Sequence, residues 1–160
     1  MSKQNRKKKY KIWYSWGIVV LFVLSLSYTV FMQYRHKEAI ISFEQQELHV
    51  QIAHTPKQWH RGLGKKETIA PYDGMLFLFP FSRRHGIVMR DMGFPIDIVW
   101  LDRGTIIDIA PQAQPQPEAA EADLYVYYPR MDATMVLELE AGKAAKIGLK
   151  IGDTMNVVEE

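Results

Sequence analysis

Gly74-Met75-Leu76-Phe77-Leu78-Phe79-Pro80 is the stretch on which the fold turns. The apolar run is unbroken, too short for a helix, and bounded by glycine and proline. Those features describe a strand buried on both faces. Upstream, Leu48, Val50 and Ile52 alternate with His49, Gln51 and Ala53, the period of a half-buried strand. Between the two lies Thr55-Pro56-Lys57-Gln58, where Thr55 caps a short helix, Pro56 suits its first position and Gln58 completes a capping box. Trp59 and Leu63 share one face of that helix, which stops near Gly62 or Gly64. Downstream, strands are expected over residues 85–89, 96–101, 105–110, 134–140 and 154–158. A tight hairpin at Asp102-Arg103-Gly104 and a short helical segment at 142–147 complete the set. About seven short strands at this spacing predict a mainly β domain, a compact sandwich or small barrel with one or two short helices. Residues 111–123, with Pro111, Pro115 and Pro117 and no periodicity, read as a long extended loop.

Residues 12–32 carry no formal charge, and eleven of these 21 positions are Leu, Ile, Val or Phe. As a helix they extend about 31 Å, matching the roughly 30 Å hydrocarbon core of a bilayer. Trp13, Tyr14 and Trp16 stand at one end and Tyr28 and Tyr34 at the other, where amphipathic rings suit the headgroup region. Six bases precede the span, whereas Arg35 and Lys37 alone follow closely. That bias predicts a single-pass signal-anchor in the cell membrane, with the N-terminus cytoplasmic and the domain outside. A cleaved signal peptide, with Ser25-Leu26-Ser27 as its cleavage site, stays open as the competing reading. The plan is therefore a basic tip at 1–11, a transmembrane anchor at 12–32, a polar stalk at 33–47 and a β domain at 48–160.

From residue 39 onward, 12 Lys and Arg face 17 Asp and Glu, a net charge of −5. A basic tip on an acidic body argues against nucleic acid as a partner. With no cysteine in the chain, disulfides, thiolate nucleophiles and Cys-based zinc sites are excluded. His49, His54, His60 and His85 fall at no H-x-H or H-x-x-x-H spacing, so no metal is expected. No glycine-rich phosphate loop and no G-x-S-x-G elbow occurs, and no cofactor is expected.

Five motifs follow one another in a recognisable order: Arg61-Gly62-Leu63, Gly74-Met75-Leu76-Phe77, the run from Met89-Arg90 to Phe94-Pro95-Ile96-Asp97-Ile98, Val136-Leu137-Glu138 to Ala141-Gly142, and Gly148 to Gly152-Asp153. In order and spacing they resemble the prokaryotic family known as domain of unknown function 192, over roughly residues 48–158. The resemblance implies a compact sandwich-like β fold, often exported or anchored, and no established activity. The chain departs from the family's pattern in places. The usual Phe-Trp-Met-Lys-Asn-Thr is Ile87-Val88-Met89-Arg90-Asp91-Met92, and Arg-Gly-Leu-Met is Arg61-Gly62-Leu63-Gly64. A cysteine pair carried by many relatives within the 111–123 loop is missing. A ligand contact made by that tryptophan in relatives would be lost here.

Asp97 draws attention because both faces of its strand are apolar, and an unpaired buried carboxylate costs several kcal/mol. Arg61 and Arg90 are its natural partners, and a polar pocket of Arg61, Arg90, Asp97 and Glu138 is the expected ligand site. The alternative is a structural role for the carboxylate, as one half of an ion pair or as an acceptor of backbone N–H groups. Tyr125 and Tyr127, two apart beside the proline loop, share one side of a strand and form either a platform for a ligand or part of the core. The favoured function is a ligand-binding or accessory module of the cell envelope, without catalysis. It would be held in the lipid bilayer by residues 12–32 and engage a small molecule or an envelope protein. The competing function is an envelope hydrolase acting on a sugar or another small substrate through acidic residues, Asp97 with Glu138 or Asp91. A third is a purely structural partner of another membrane protein.

Overall fold

The computed structural model describes residues 3–34, 37–44 and 46–159. The chain divides into two compact units, Met1–Arg35 and His36–Glu160. The first is one helix, α1 (Lys3–Tyr34, 32 residues). The large apolar side chains described along it are exposed, Leu21 at 68 % and Phe22 at 69 % among them. The transmembrane helix expected at 12–32 lies inside α1, but among the described residues no helix is long and apolar enough to cross a membrane. The side chains of α1 are described over residues 16–32. Those of residues 12–15 and of the basic tip lie outside the described residues.

The second unit runs β1 (Lys37–Phe43), β2 (Gln46–Ala53), α2 (Pro56–Arg61), β3 (Gly74–Arg83), β4 (Ile87–Val88), β5 (Ile96–Asp102), β6 (Thr105–Ala113), a 3-10 turn (Glu121–Asp123), β7 (Val126–Tyr127), β8 (Ala133–Glu140), α3 (Lys143–Lys146) and β9 (Met155–Glu159). Seven strands form one sheet in the order β6-β5-β8-β3-β2-β1-β9, and β4 pairs with β7 apart from it. Neighbours are antiparallel except β2 and β3, whose parallel pairing requires the crossover that contains α2. A single bridge, Thr105 to Thr154, joins the two ends of the sheet, backed by a 2.8 Å bond from the Met155 N–H to the Gly104 carbonyl. The sheet therefore wraps until its ends touch, yet does not close. The domain is mainly β, as expected, but not a barrel.

Period-two alternation sends the central strands' side chains into two cores. Leu76, Val99, Leu101, Leu137 and Leu139 join Ile41, Phe43 and Val50 on one face. Met75, Phe77, Ile98, Trp100 and Val136 join Leu63, Met89 and Met92 on the other. This double cover is why the 74–77 run is unbroken in hydrophobicity: every one of its residues is buried. From Leu78 onward β3 leaves that cover, and Leu78 and Phe81 are exposed.

Two boundaries differ from expectation. The stretch 33–47 read as a stalk contains β1, whose Ala39, Ile41 and Phe43 are buried in alternation and pair with β2. The alternation is weakly marked in the sequence because Ala39 is small and Ile40 breaks the polar phase. The proline loop begins later than 111, since β6 continues through Pro111 to Ala113. β6 is the edge strand, where a proline's missing N–H interrupts no ladder bond to a further strand.

Candidate ligand-binding cleft

The cleft lies against the second core, and three pieces of chain build it. The first is α2. The Thr55 side chain accepts from the Gln58 N–H, and the Gln58 side chain accepts from the Thr55 N–H at 3.2 Å, so the expected capping box is present. The helix ends at Gly62 in the left-handed region (φ 48°), a turn that favours glycine. A Cβ built there would lie 3.4 Å from the Phe77 ring and 4.0 Å from Glu138 Oε2, so the helix end sits directly above that carboxyl. Trp59, His60 and Arg61 thereby reach the cleft edge. The second piece is β8, which points Glu138 to the same face as Val136. The third is the chain from Gly86 to Ile96, which adds Ile87, Val88, Arg90 and Met92 to the walls. The cleft has a volume of about 290 Å³.

Glu138 forms the floor. It is 5 % exposed, and among the described residues its Oε2 has no hydrogen-bond partner. Native interiors rarely leave such an atom unsatisfied. Burial alone pushes its carboxyl up to about 8, so it is a neutral acid at pH 7 and can donate a hydrogen bond. The mouth is cationic. Arg90 grips the Glu121 carboxylate with two parallel bonds, Nε to Oε2 at 2.7 Å and Nη2 to Oε1. Its Nη1 faces His60 Nδ1 at 3.4 Å. That pairing raises the Arg90 guanidinium above its ordinary range and lowers the Glu121 carboxyl below its own. Glu121 belongs to the 3-10 turn of the proline loop, so the loop is tied to the cleft mouth by this pair. Arg61 is exposed and makes no ion pair among the described residues. Its charge, after burial, helps to lower the Lys66 ammonium. Lys65 extends the basic rim and sits 3.6 Å from Asp91.

The structure thus brings Arg61, Arg90 and Glu138 to one cleft and leaves Asp97 out. Asp97 is fully buried on the opposite face of the sheet, opposite Leu139 in register. It accepts backbone N–H bonds from Gln112 and Ala144, each at 2.9 Å, and meets neither arginine. Its place in the expected pocket is corrected: the carboxylate ties the end of β6 and the start of α3 to β5. Because Asp97 and Glu138 face opposite sides, they cannot work on one bond as an acid and base pair. Tyr125 and Tyr127 meet edge to face at 4.7 Å, with Tyr125 exposed and Tyr127 packed against the core. Tyr127 pairs with Ile87, so the tyrosines stand behind the cleft wall and do not line it. Sequence reasoning did not find Trp59, His60 or Glu121 as parts of the site. The capped helix was the available signal for the first two.

In class, this is an open, wrapped β domain with a small-molecule-sized cleft whose floor is an orphaned acid and whose rim is basic. The model of the uncharacterised family domain of unknown function 192, "Uncharacterized ACR", matches residues 39–157, and the chain belongs to that family. A crystal structure from Sinorhizobium meliloti 1021, described as that of a candidate transcription regulator, is similar at 29 % identity and a TM-score of 0.66. The match covers 78 % of this chain and 95 % of that one. A protein of unknown function from Novosphingobium aromaticivorans DSM 12444 shares the fold at 22 % identity and a TM-score of 0.63, covering 76 % of this chain and 84 % of its own. No functionally curated protein matches the chain. The family's usual tryptophan position is Val88 here, and Val88 lines the cleft. Gly64, Ile87, Arg90 and Met92, further departures from that pattern, line it too.

Proposed function

We propose that the protein is a non-catalytic ligand-binding module of the cell envelope, tethered to a membrane by α1, and that the Glu138 cleft is its binding site. The observation that carries the binding reading is the buried Glu138, which lines a cleft of about 290 Å³ and whose Oε2 has no hydrogen-bond partner among the described residues. Leaving such a group unsatisfied costs about 1–3 kcal/mol, and a ligand that reaches it removes that cost. The apolar walls of Trp59, Phe77 and Met92 supply the remainder of a small-molecule site, a mostly apolar cleft with a few placed polar groups. Tethering rests on the charge-free stretch 12–32, the six preceding bases and the exposed apolar side chains of α1.

The test is a thermal-shift screen of small fragments on the full chain in mild detergent, repeated on Glu138→Leu. A ligand at ten times its Kd adds about 1.4 kcal/mol to stability, so hits are expected to raise Tm of the native chain and to fail on the variant. If no fragment stabilises the chain, or the hits stabilise Glu138→Leu equally, the cleft is not the site.

A further inference from the structure

The arrangement of charge around the cleft narrows the ligand, on the footing that the cleft is a binding site. At the mouth, the chain shows what its arginines accept: Glu121 offers a carboxylate, and Arg90 takes it through two parallel bonds. Bidentate pairing of this kind is specific to carboxylate and phosphate geometry. Glu121 comes from an exposed turn, with Pro115 and Pro117 upstream of it, so little packing holds it in place. Arg61 lines the same cleft with no ion-pair partner among the described residues, and Lys65 stands at the rim beside Asp91. The rim sets Arg61, Lys65 and Arg90 against Asp91 and Glu121, a net charge of +1 (3 − 2) that disfavours an ammonium ligand at the mouth. At the floor, Glu138 is not bonded to either arginine, so its carboxyl stays available to the uncharged part of whatever enters.

We infer that the cleft takes a small organic oxyanion, its carboxylate or phosphate held by Arg61 and Arg90 in place of Glu121 and its uncharged polar end reaching Glu138. Glu121 is then an internal competitor. The proline loop rests on Arg90 while the cleft is empty and releases it when the ligand's anion arrives.

Three para-substituted phenols separate the possibilities: 4-hydroxybenzoate, its isosteric neutral amide 4-hydroxybenzamide, and the cation tyramine. Binding to the full chain in mild detergent is followed by titration. The benzoate is expected to bind about tenfold tighter than the amide, since a charge-assisted arginine bond is worth about 1.5–3 kcal/mol. Arg61→Ala is expected to erase that preference. Glu121→Ala, at an exposed position, is expected to tighten the benzoate and leave the amide unchanged. Equal binding of benzoate and amide, tighter binding of tyramine, or no effect of Glu121→Ala overturns the oxyanion assignment while the cleft remains a binding site. Failure of all three probes up to about 10 mM, weaker than about 3 kcal/mol of binding, overturns both.

Discussion

Glu138→Gln tests the electrostatics of the cleft floor. In the folded chain the Glu138 carboxyl titrates near 8, whereas in the unfolded chain it titrates at its ordinary value near 4.5. Between those values the folded state holds a proton that the unfolded state has lost. Stability from this group is therefore complete below about 4.5 and declines as pH rises toward 8. Each pH unit in that window costs about 1.4 kcal/mol, which amounts to roughly 4 to 5 kcal/mol across it, a large share of the 5–15 kcal/mol typical of a domain. Glutamine keeps the shape and carries no titration. Urea unfolding of the full chain in mild detergent, followed by tryptophan fluorescence at pH 5, 6, 7 and 8, reads the difference. The two proteins should be close at pH 5, and the variant should be increasingly the more stable at each step upward. Parallel pH profiles would refute the reasoning, because they would mean that Glu138 is ionised, or partnered, in the folded chain.

Other perturbations probe the frame around the cleft. Asp97→Asn replaces an acceptor of two backbone N–H bonds by a group that turns one donor against a donor, so it should cost about 1–3 kcal/mol of stability and lower Tm without weakening fragment binding. Gly74→Ala places a Cβ 2.7 Å from the Glu138 carbonyl and 2.9 Å from a Leu139 methyl. A loss of about 1–3 kcal/mol is expected in the same unfolding assay. Burial pushes the Asp108 carboxyl up, but the bonds from Arg130 outweigh it and hold the group below its usual range. Its contribution is thus present above about pH 4 and lost as pH falls through that range. Arg130→Ala should lower stability at pH 7, with the gap to the native chain narrowing toward pH 3. For the tether, Leu21→Arg combined with Leu24→Arg puts two charges where each costs about 2.5–3.5 kcal/mol in a bilayer. The native chain should stay with membranes after an alkaline wash and this variant should be released; equal partitioning would sink the anchor proposal.

Much of the β architecture is legible, β2 from its period of two and the central strands from their apolar runs. β3, β5 and β8 announce themselves because both of their faces are buried, and α2 because its capping box is complete before the helix begins. β1 is hidden by Ala39, which is buried but barely apolar, and the end of β6 by Pro111, tolerated there because the strand is an edge. Asp97 shows the deeper limit. Its sequence context establishes that a carboxylate among Ile96, Ile98 and Val99 needs partners, but those partners are the N–H groups of Gln112 and Ala144. Backbone donors lie in every residue, so nothing in residue identity marks them, and Arg61 and Arg90 were the visible alternatives. Glu138 was legible as a polar residue beside Val136. That its Oε2 would be left unpaired under Gly62 depended on the crossover from β2 to β3, which only the fold supplies.

The most direct test of the cleft is methyl NMR on the methionines of the full chain during addition of a fragment hit. Met92 lines the cleft, whereas Met135 and Met155 pack against the other core across the sheet and serve as internal controls. Movement of the Met92 signal with saturation, and stationary Met135 and Met155 signals, is the predicted result. Shifts at Met135 or Met155 with Met92 unmoved would place the ligand on the opposite face and contradict the assignment of the Glu138 cleft.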